Sequence, residues 1–156
     1  MFNPSELCEL IPHSGKMCLI DTVEKWDAES ITCTTQTHQN HDNPLLANGI
    51  LPVFALIEYG AQAMAIHGAI IAKESEEEMQ AGYLASLKDV NFLNTEINNI
   101  TSPLTIKATR KFASQGNMIY KFLISSEGNN LISGQATVIA IFNNQLNPSN
   151  FKQGIH

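Results

Sequence analysis

One stretch limits what this chain can become more than any other. From Asn48 to Lys73, "NGILPVFALIEYGAQAMAIHGAIIAK" reads as a single long helix, apolar round nearly its whole circumference. A helix of that kind must be covered on most sides, whereas an ordinary surface helix keeps one polar face for water. A bilayer is one possible cover, and Val53–Lys73 approaches spanning length. It contains Glu58, Gln62 and His67, however, so it reads as a helix buried in protein, with no membrane span. A carboxylate set among Phe54, Leu56, Ile57, Ala61 and Met64 is costly to bury. Glu58 therefore needs a reason to be there, and so does Gln62 one turn behind it.

The rest of the chain supplies the cover. "MCLIDTVEKW" (Met17–Trp26) and "SITCTTQTH" (Ser30–His38) are β-branched, partly alternating runs joined by "DAE", and they predict a hairpin. "QNHDNPLLANG" follows with Asn-Pro and Asn-Gly as turn signals, and Pro52 suits the first helical turn. After the helix, "KESEEEMQ" reads as a solvated charged connection. Four further strands are expected at Ala81–Phe92, Pro103–Phe112, Asn117–Ser125 and Asn130–Phe142, with "SQGN" and "SEGNN" as turns. Two strands, a helix and four strands form an antiparallel sheet that must bury one face, and the helix is the apolar object available. The expected fold is α+β: a long central helix wrapped by a curved antiparallel sheet. It occupies one domain, 1–156, with ends 1–7 and 143–156 loosely attached.

Within the helix, Ala61, Ala65, Gly68 (or Ala69) and Ala72 form a small-residue stripe at three- to four-residue spacing. It lets backbone come close, either to the sheet or to a ligand. The 156 residues, 44% hydrophobic, suffice for one core, and a net charge of −6 argues against general nucleic-acid binding. Cys8, Cys18 and Cys33 lack metal-type spacing, and their odd number suits reduced thiols in a cytoplasm, Cys18 and Cys33 as packing residues in strands. No targeting signal opens the chain, so a cytoplasmic location is expected. The histidines and acids show no ligand spacing for a metal, and there is neither a glycine-rich phosphate loop nor a "GxSxG".

Two segments carry a family likeness. "LIPHSGKMCLIDTV" (Leu10–Val23) resembles the "PHRxPFLLVDRV" opening of the 3-hydroxyacyl-[acyl-carrier-protein] dehydratases, which have the hot-dog fold. "LPVFALIEYGAQAMA" (Leu51–Ala65) resembles their "MPGxLxxEAxAQ" helix start, with Pro52, Glu58, Ala61 and Gln62 in register. "GYLASLKDVNF" (Gly82–Phe92) is similar to the strand that follows. The closest likeness is to dehydratase-like proteins of aryl polyene pathways, where "NPL…LP…IEYxAQA" resembles Asn43–Ala63. The resemblance implies that Glu58 protrudes into an acyl tunnel at a dimer interface and acts as general acid. A histidine would take the α-proton, while backbone N–H groups near the helix start, around Pro52 and Val53, would polarise the thioester carbonyl.

The match departs at the histidine. An ungapped alignment with "HFPxxPxxPGxxxxE" puts Pro44 at its position and Val53 at the glycine of "PG". His41 is the candidate base, since three residues span up to roughly 10 Å; a solvent-facing loop histidine is its plain reading. His38, at a strand end, is a weaker candidate. His13 and Asp21 match the opening motif and read as structural or tunnel-mouth residues, His13 beside substrate. His67 reads as a satisfied core histidine, and Gln62 as an orienting group.

Three functions compete at this point. The first is dehydration of a 3-hydroxyacyl thioester on acyl carrier protein, in fatty-acid or polyene-type biosynthesis, with Glu58 as acid and His41 as base. The second is a dehydratase-like subunit without a base that supports a complete partner. The third is a hot-dog thioesterase using Glu58 to activate water. Acid–base elimination needs no cofactor. A homodimer or higher oligomer, or a heteromer with a homologous dehydratase, would remove the exposed sheet edge. For carrier docking, the candidates are Lys107, Arg110, Lys111 and Lys121. Alternation would put Lys107 and Lys111 on one face and Arg110 on the other, with Lys16 in reserve.

Overall fold

The apolar stretch does become the central helix. In the computed structural model, which describes residues 4–10, 18–94 and 96–144, α2 (Leu56–Glu74) is entered through a 3-10 turn at Val53–Ala55, with Pro52 just ahead of it. Around it lie α1 (Pro4–Leu10), β1 (Thr22–Trp26), β2 (Ser30–Thr35), β3 (Glu77–Phe92), β4 (Leu104–Ser114), β5 (Asn117–Ser126) and β6 (Asn129–Asn144). The six strands make one antiparallel sheet in the order β1-β2-β4-β5-β6-β3. The chain leaves β2 through α2 and returns at the far edge, so the helix lies along the sheet's concave side. This is the hot-dog arrangement.

Alternation sets the two faces. Leu104, Ile106 and Ala108 of β4, Tyr120, Phe122 and Ile124 of β5, and Ile132, Ala136 and Val138 of β6 are buried in the core shared with α2. From the helix come Leu56, Tyr59, Ala63, Met64, Ile66 and Ile70, all buried. Each of the Leu, Ile, Val, Met and Phe side chains among these contributes about 1.5–3 kcal/mol on leaving water. Part of the small-residue pattern now has a packing cause. A Cβ on Gly60 would lie 3.1 Å from Phe122 Cδ2, and one on Gly68 3.3 Å from Met118 Cε.

The turns follow their sequences. Gln115-Gly116 and Glu127-Gly128 each have positive φ at both residues, the conformation of tight two-residue hairpins. Gly116 is also required sterically, because a Cβ there would sit 2.5 Å from the Ala140 carbonyl oxygen.

Several expectations need correction. The N-terminal segment is not loose at Leu7, which is buried in the core from α1. Residues 18–21 precede β1 instead of belonging to it, and β2 gives way to a 3-10 turn at Thr37–Gln39. Glu77 to Gln80 are not connection but the start of β3. At the other end β6 runs through Asn144, while 145–156 lie outside the described residues. Cys33 is a buried free thiol in β2, its pKa pushed up to about 12 by burial. Cys18 is disulfide-bonded, contrary to the expectation of three reduced thiols. Among the described residues one helix, Val53–Glu74, is long and apolar enough to cross a membrane by composition, but two-thirds of its most apolar window (67%) is buried within the protein.

Candidate active site

With about 3.6 residues per turn, Phe54, Ile57, Glu58, Ala61 and Ala65 fall on one side of the helical segment. These are the positions the sheet leaves uncovered: Phe54 is 64% exposed and the other four are half-buried. Leu56 and Met64, expected around the carboxylate, point instead into the core. In a single chain Glu58 is therefore not enclosed. It lies in the first turn of α2, where the helix dipole favours an anion. It has no hydrogen-bond or ion-pair partner among the described residues. The Val53 and Phe54 N–H groups, ahead of it at the helix start, also lack partners there, and no side chain caps the turn.

The open helix face continues onto the sheet edge. Leu84, Leu87 and Phe92 of β3 sit opposite the inward-facing Val138, Ala136 and Ile132 of β6, yet all three remain exposed. Glu58 thus stands on an uncovered apolar strip of α2 beside β3, an edge strand whose outer side has no partner among the described residues. Such a strip marks an interaction surface.

The segments around the helix start are fastened by polar side chains. Gln62 is buried, and its Oε1 accepts the Leu19 N–H at 2.8 Å. It orients the strap ahead of β1. The Leu19 carbonyl accepts from the Thr35 and Thr37 hydroxyls. Since Thr37 donates there, the Tyr59 O–H donates to Thr37 Oγ1 at 2.8 Å, and Tyr59 accepts from Asn43 Nδ2 at 3.0 Å. Burial raises the Tyr59 pKa, which keeps this hydroxyl protonated. Asp21 accepts the Gln36 N–H at 2.7 Å and is structural. Asn98 grips both the N–H and the C=O of Leu51, just before the helix. Loops 37–44 and 96–102 thus form a collar round the N-terminal end of α2. A pocket of about 120 Å³ opens between Cys18, Leu19, Thr37, Asn40, Asp42, Asn43 and Pro44.

The histidines separate clearly. His67 is fully buried, with Nδ1 2.7 Å from the Tyr120 hydroxyl and Nε2 2.8 Å from the Asp27 carbonyl. A carbonyl only accepts, so Nε2 carries the proton and Nδ1 accepts from Tyr120. Burial lowers its pKa, and the core reading of His67 holds. His41 is exposed and makes no hydrogen bond among the described residues. His38 is buried, with Nε2 3.2 Å from the Ile100 carbonyl. Its burial was not legible locally, because the contact bridges 62 positions of sequence. Pro52 and Val53 are half-buried at the helix start, and His13 and Lys16 lie outside the described residues.

The basic set is split by a β-bulge. The β4–β5 register shifts between Arg110 and Phe112, so alternation fails at Lys111. Lys107 and Lys121 instead line one outward-facing cleft with Thr109 and Gln135, while Arg110 donates to the Ala28 carbonyl. Among the described residues no group of three or more His, Cys, Asp or Glu side chains could hold a metal.

The same architecture occurs in solved structures. The dehydratase heterocomplex ApeI:P from Xenorhabdus doucetiae superposes with a TM-score of 0.77 at 21% identity, covering 100% of this chain and 99% of that one. A mutant thioesterase from Pseudomonas aeruginosa follows at 0.61 and 14%, covering 92% and 96%. A hypothetical thioesterase with coenzyme A from Streptococcus pneumoniae gives 0.52 and 17%, covering 77% and 84%. At these identities the likeness is one of fold. No curated protein is significantly similar in sequence. The model of the ApeP dehydratase family, by contrast, matches residues 5–151, taking in the strap, the collar, Glu58 and every strand, and the chain belongs to this ApeP-like family.

Proposed function

We propose that the chain takes part in dehydrating a 3-hydroxyacyl thioester presented by acyl carrier protein, assembled with a second hot-dog chain across the β3 edge. One observation carries the reading. Among the described residues Glu58 is an unpartnered carboxyl on an apolar strip, in a helix turn whose Val53 and Phe54 N–H groups are unmatched. A second chain laid on that strip would close a tunnel over it. In such a tunnel the thioester carbonyl accepts from the helix-start N–H groups, which stabilise the charge that develops there. A base removes the α-proton, the C–H electron pair becomes the new double bond, and the Cβ–O bond breaks. Glu58 gives its proton to the leaving hydroxyl, so that water departs. Gln62 acts at one remove, by holding the strap, and no cofactor is required. The second chain is another copy or a homologous dehydratase. This reading places the protein in the cytoplasm, with its carrier.

A supporting-subunit reading draws on His41, which is exposed and makes no hydrogen bond among the described residues. Hydration of a crotonyl thioester on carrier protein separates the two, measured with the chain alone and with a homologous dehydratase subunit. Under the enzyme reading, Glu58→Gln abolishes the activity of this chain. Activity that appears only with the partner, and that survives Glu58→Gln, assigns the chemistry to the partner.

A further inference from the structure

A cavity lies at the opposite end of α2 from Glu58. Gly68 and Ala72, the C-terminal part of the small-residue stripe, line it together with Ile71, Met118 of β5 and Phe142 of β6. Gly68 is ten residues beyond Glu58, about 15 Å along the helix axis, so this space is separate from the strip around the carboxyl. It measures about 220 Å³, and short side chains on the helix are what leave it open. At roughly 30 Å³ per water it has room for about seven waters, less than the cavities that take drug-sized ligands.

Its charges set it apart. Among the described residues, Arg110 of β4 and Glu77 of β3 are the ionisable groups of its lining. By alternation Arg110 follows Leu104, Ile106 and Ala108 on the core face of β4, opposite the buried Tyr120. A half-buried guanidinium there is costly unless an anion answers it. Its Nη2 donates to the Ala28 carbonyl at 3.1 Å, and the group also faces the Tyr120 hydroxyl. Neither partner is an anion, and Arg110 forms no ion pair among the described residues. Glu77, also half-buried, does not reach it, and its carboxylate makes no hydrogen bond among the described residues. Two opposite charges thus face one apolar space, each without a counter-ion.

We propose that this cavity binds a small zwitterion with an apolar body, an α-amino acid with an aliphatic or thioether side chain. The ligand carboxylate accepts from the N–H groups of Arg110 that Ala28 leaves unused. The ligand ammonium donates to Glu77, and the side chain packs among Ile71, Met118 and Phe142. A net-neutral molecule matches a lining whose own charges cancel. A simple anion would meet Glu77, and a simple cation would meet Arg110. None of these residues takes part in the proposed dehydration, so the site stands whether or not the chain is an enzyme.

Leucine and two analogues test this on the full chain: isocaproate lacks the amine and isoamylamine lacks the carboxylate. At millimolar concentration leucine should shift the Met118 Cε methyl resonance. Each analogue should bind about tenfold more weakly or worse, having lost one charge-assisted contact. Arg110→Gln should weaken leucine binding by a similar factor. Because Arg110 also ties down the β1–β2 turn through Ala28, Glu77→Gln is the companion variant. It should keep the melting temperature and erase the preference for leucine over isocaproate. His67 gives a readout of a different kind. Burial chiefly lowers its pKa and the Arg110 charge adds to that, so a carboxylate seated on Arg110 should make the imidazole titrate at higher pH. Leucine that leaves Met118 unmoved, or an analogue that binds the wild type as tightly as leucine, overturns the assignment. So does a folded Glu77→Gln variant that still discriminates leucine from isocaproate, or a His67 titration indifferent to leucine.

Discussion

Gly134 of β6 holds the helix-to-sheet contact in place, and adding one methyl group there should show it. A Cβ at this position would lie 2.9 Å from Phe122 Cζ, 3.0 Å from Cε1 and 3.2 Å from Val90 Cγ2. On the ring's other side runs the backbone of α2, close enough that a Cβ on Gly60 would lie 3.1 Å from Cδ2, so retreat in that direction is limited. Phe122 is therefore clamped between helix and sheet. Overpacking of this kind costs about 1–3 kcal/mol. Replacing a strand glycine returns roughly 0.5–1 kcal/mol by restricting the unfolded chain. The net for Gly134→Ala is a loss of up to about 2.5 kcal/mol. At about 2–4 °C per kcal/mol for a chain of this length, the melting temperature should fall by up to roughly 10 °C. The decisive assay is a double-mutant cycle with Phe122→Leu, followed by thermal and urea unfolding. In the Phe122→Leu background the alanine should become neutral or stabilising. Equal destabilisation in both backgrounds, or a stabilising Gly134→Ala in the wild type, would refute the clamp.

Glu58→Gln should keep the melting temperature and lower kcat about 10²-fold or more; an unchanged rate in folded protein removes Glu58 as the acid. Leu84→Glu with Leu87→Glu, on the concave side of the β3 edge, should convert the assembled protein to monomers in light scattering, and an unchanged mass would move the interface elsewhere. Stability should decline as pH falls from 7 toward 5. The folded pKa of His67 lies below its usual 6.5, so the unfolded chain binds the proton first. Stability is full above about 6.5 and is lost as pH descends to the folded value. Urea midpoints at pH 7 and 5 measure this, and His67→Gln should flatten the dependence. Reversing Lys107 and Lys121, which share the outer cleft, to Glu should weaken turnover of the carrier-linked substrate several-fold and spare a small pantetheine thioester. Equal effects on both substrates would exclude the cleft as a docking surface.

The sequence by itself determined the architecture. A helix apolar all round, followed by four strand-forming runs, leaves a wrapped helix as the way to bury both, and "SQGN" and "SEGNN" dictate tight turns whatever the surroundings. It also marked Glu58, because an acid in such a helix is conspicuous by local pattern alone. What only the tertiary structure decided depends on partners far along the chain. It chose the face of α2 left open, since that follows from where β3 lies in the sheet. It placed Gly60 and Gly134, 74 positions apart, on opposite sides of one ring. It set Lys111 on a bulge, where simple alternation no longer holds. It also separated two histidines three residues apart. His41 has water around it, while His38 is covered by a loop more than sixty positions away. Burial of a loop side chain is fixed by what folds over it, and no local periodicity records that.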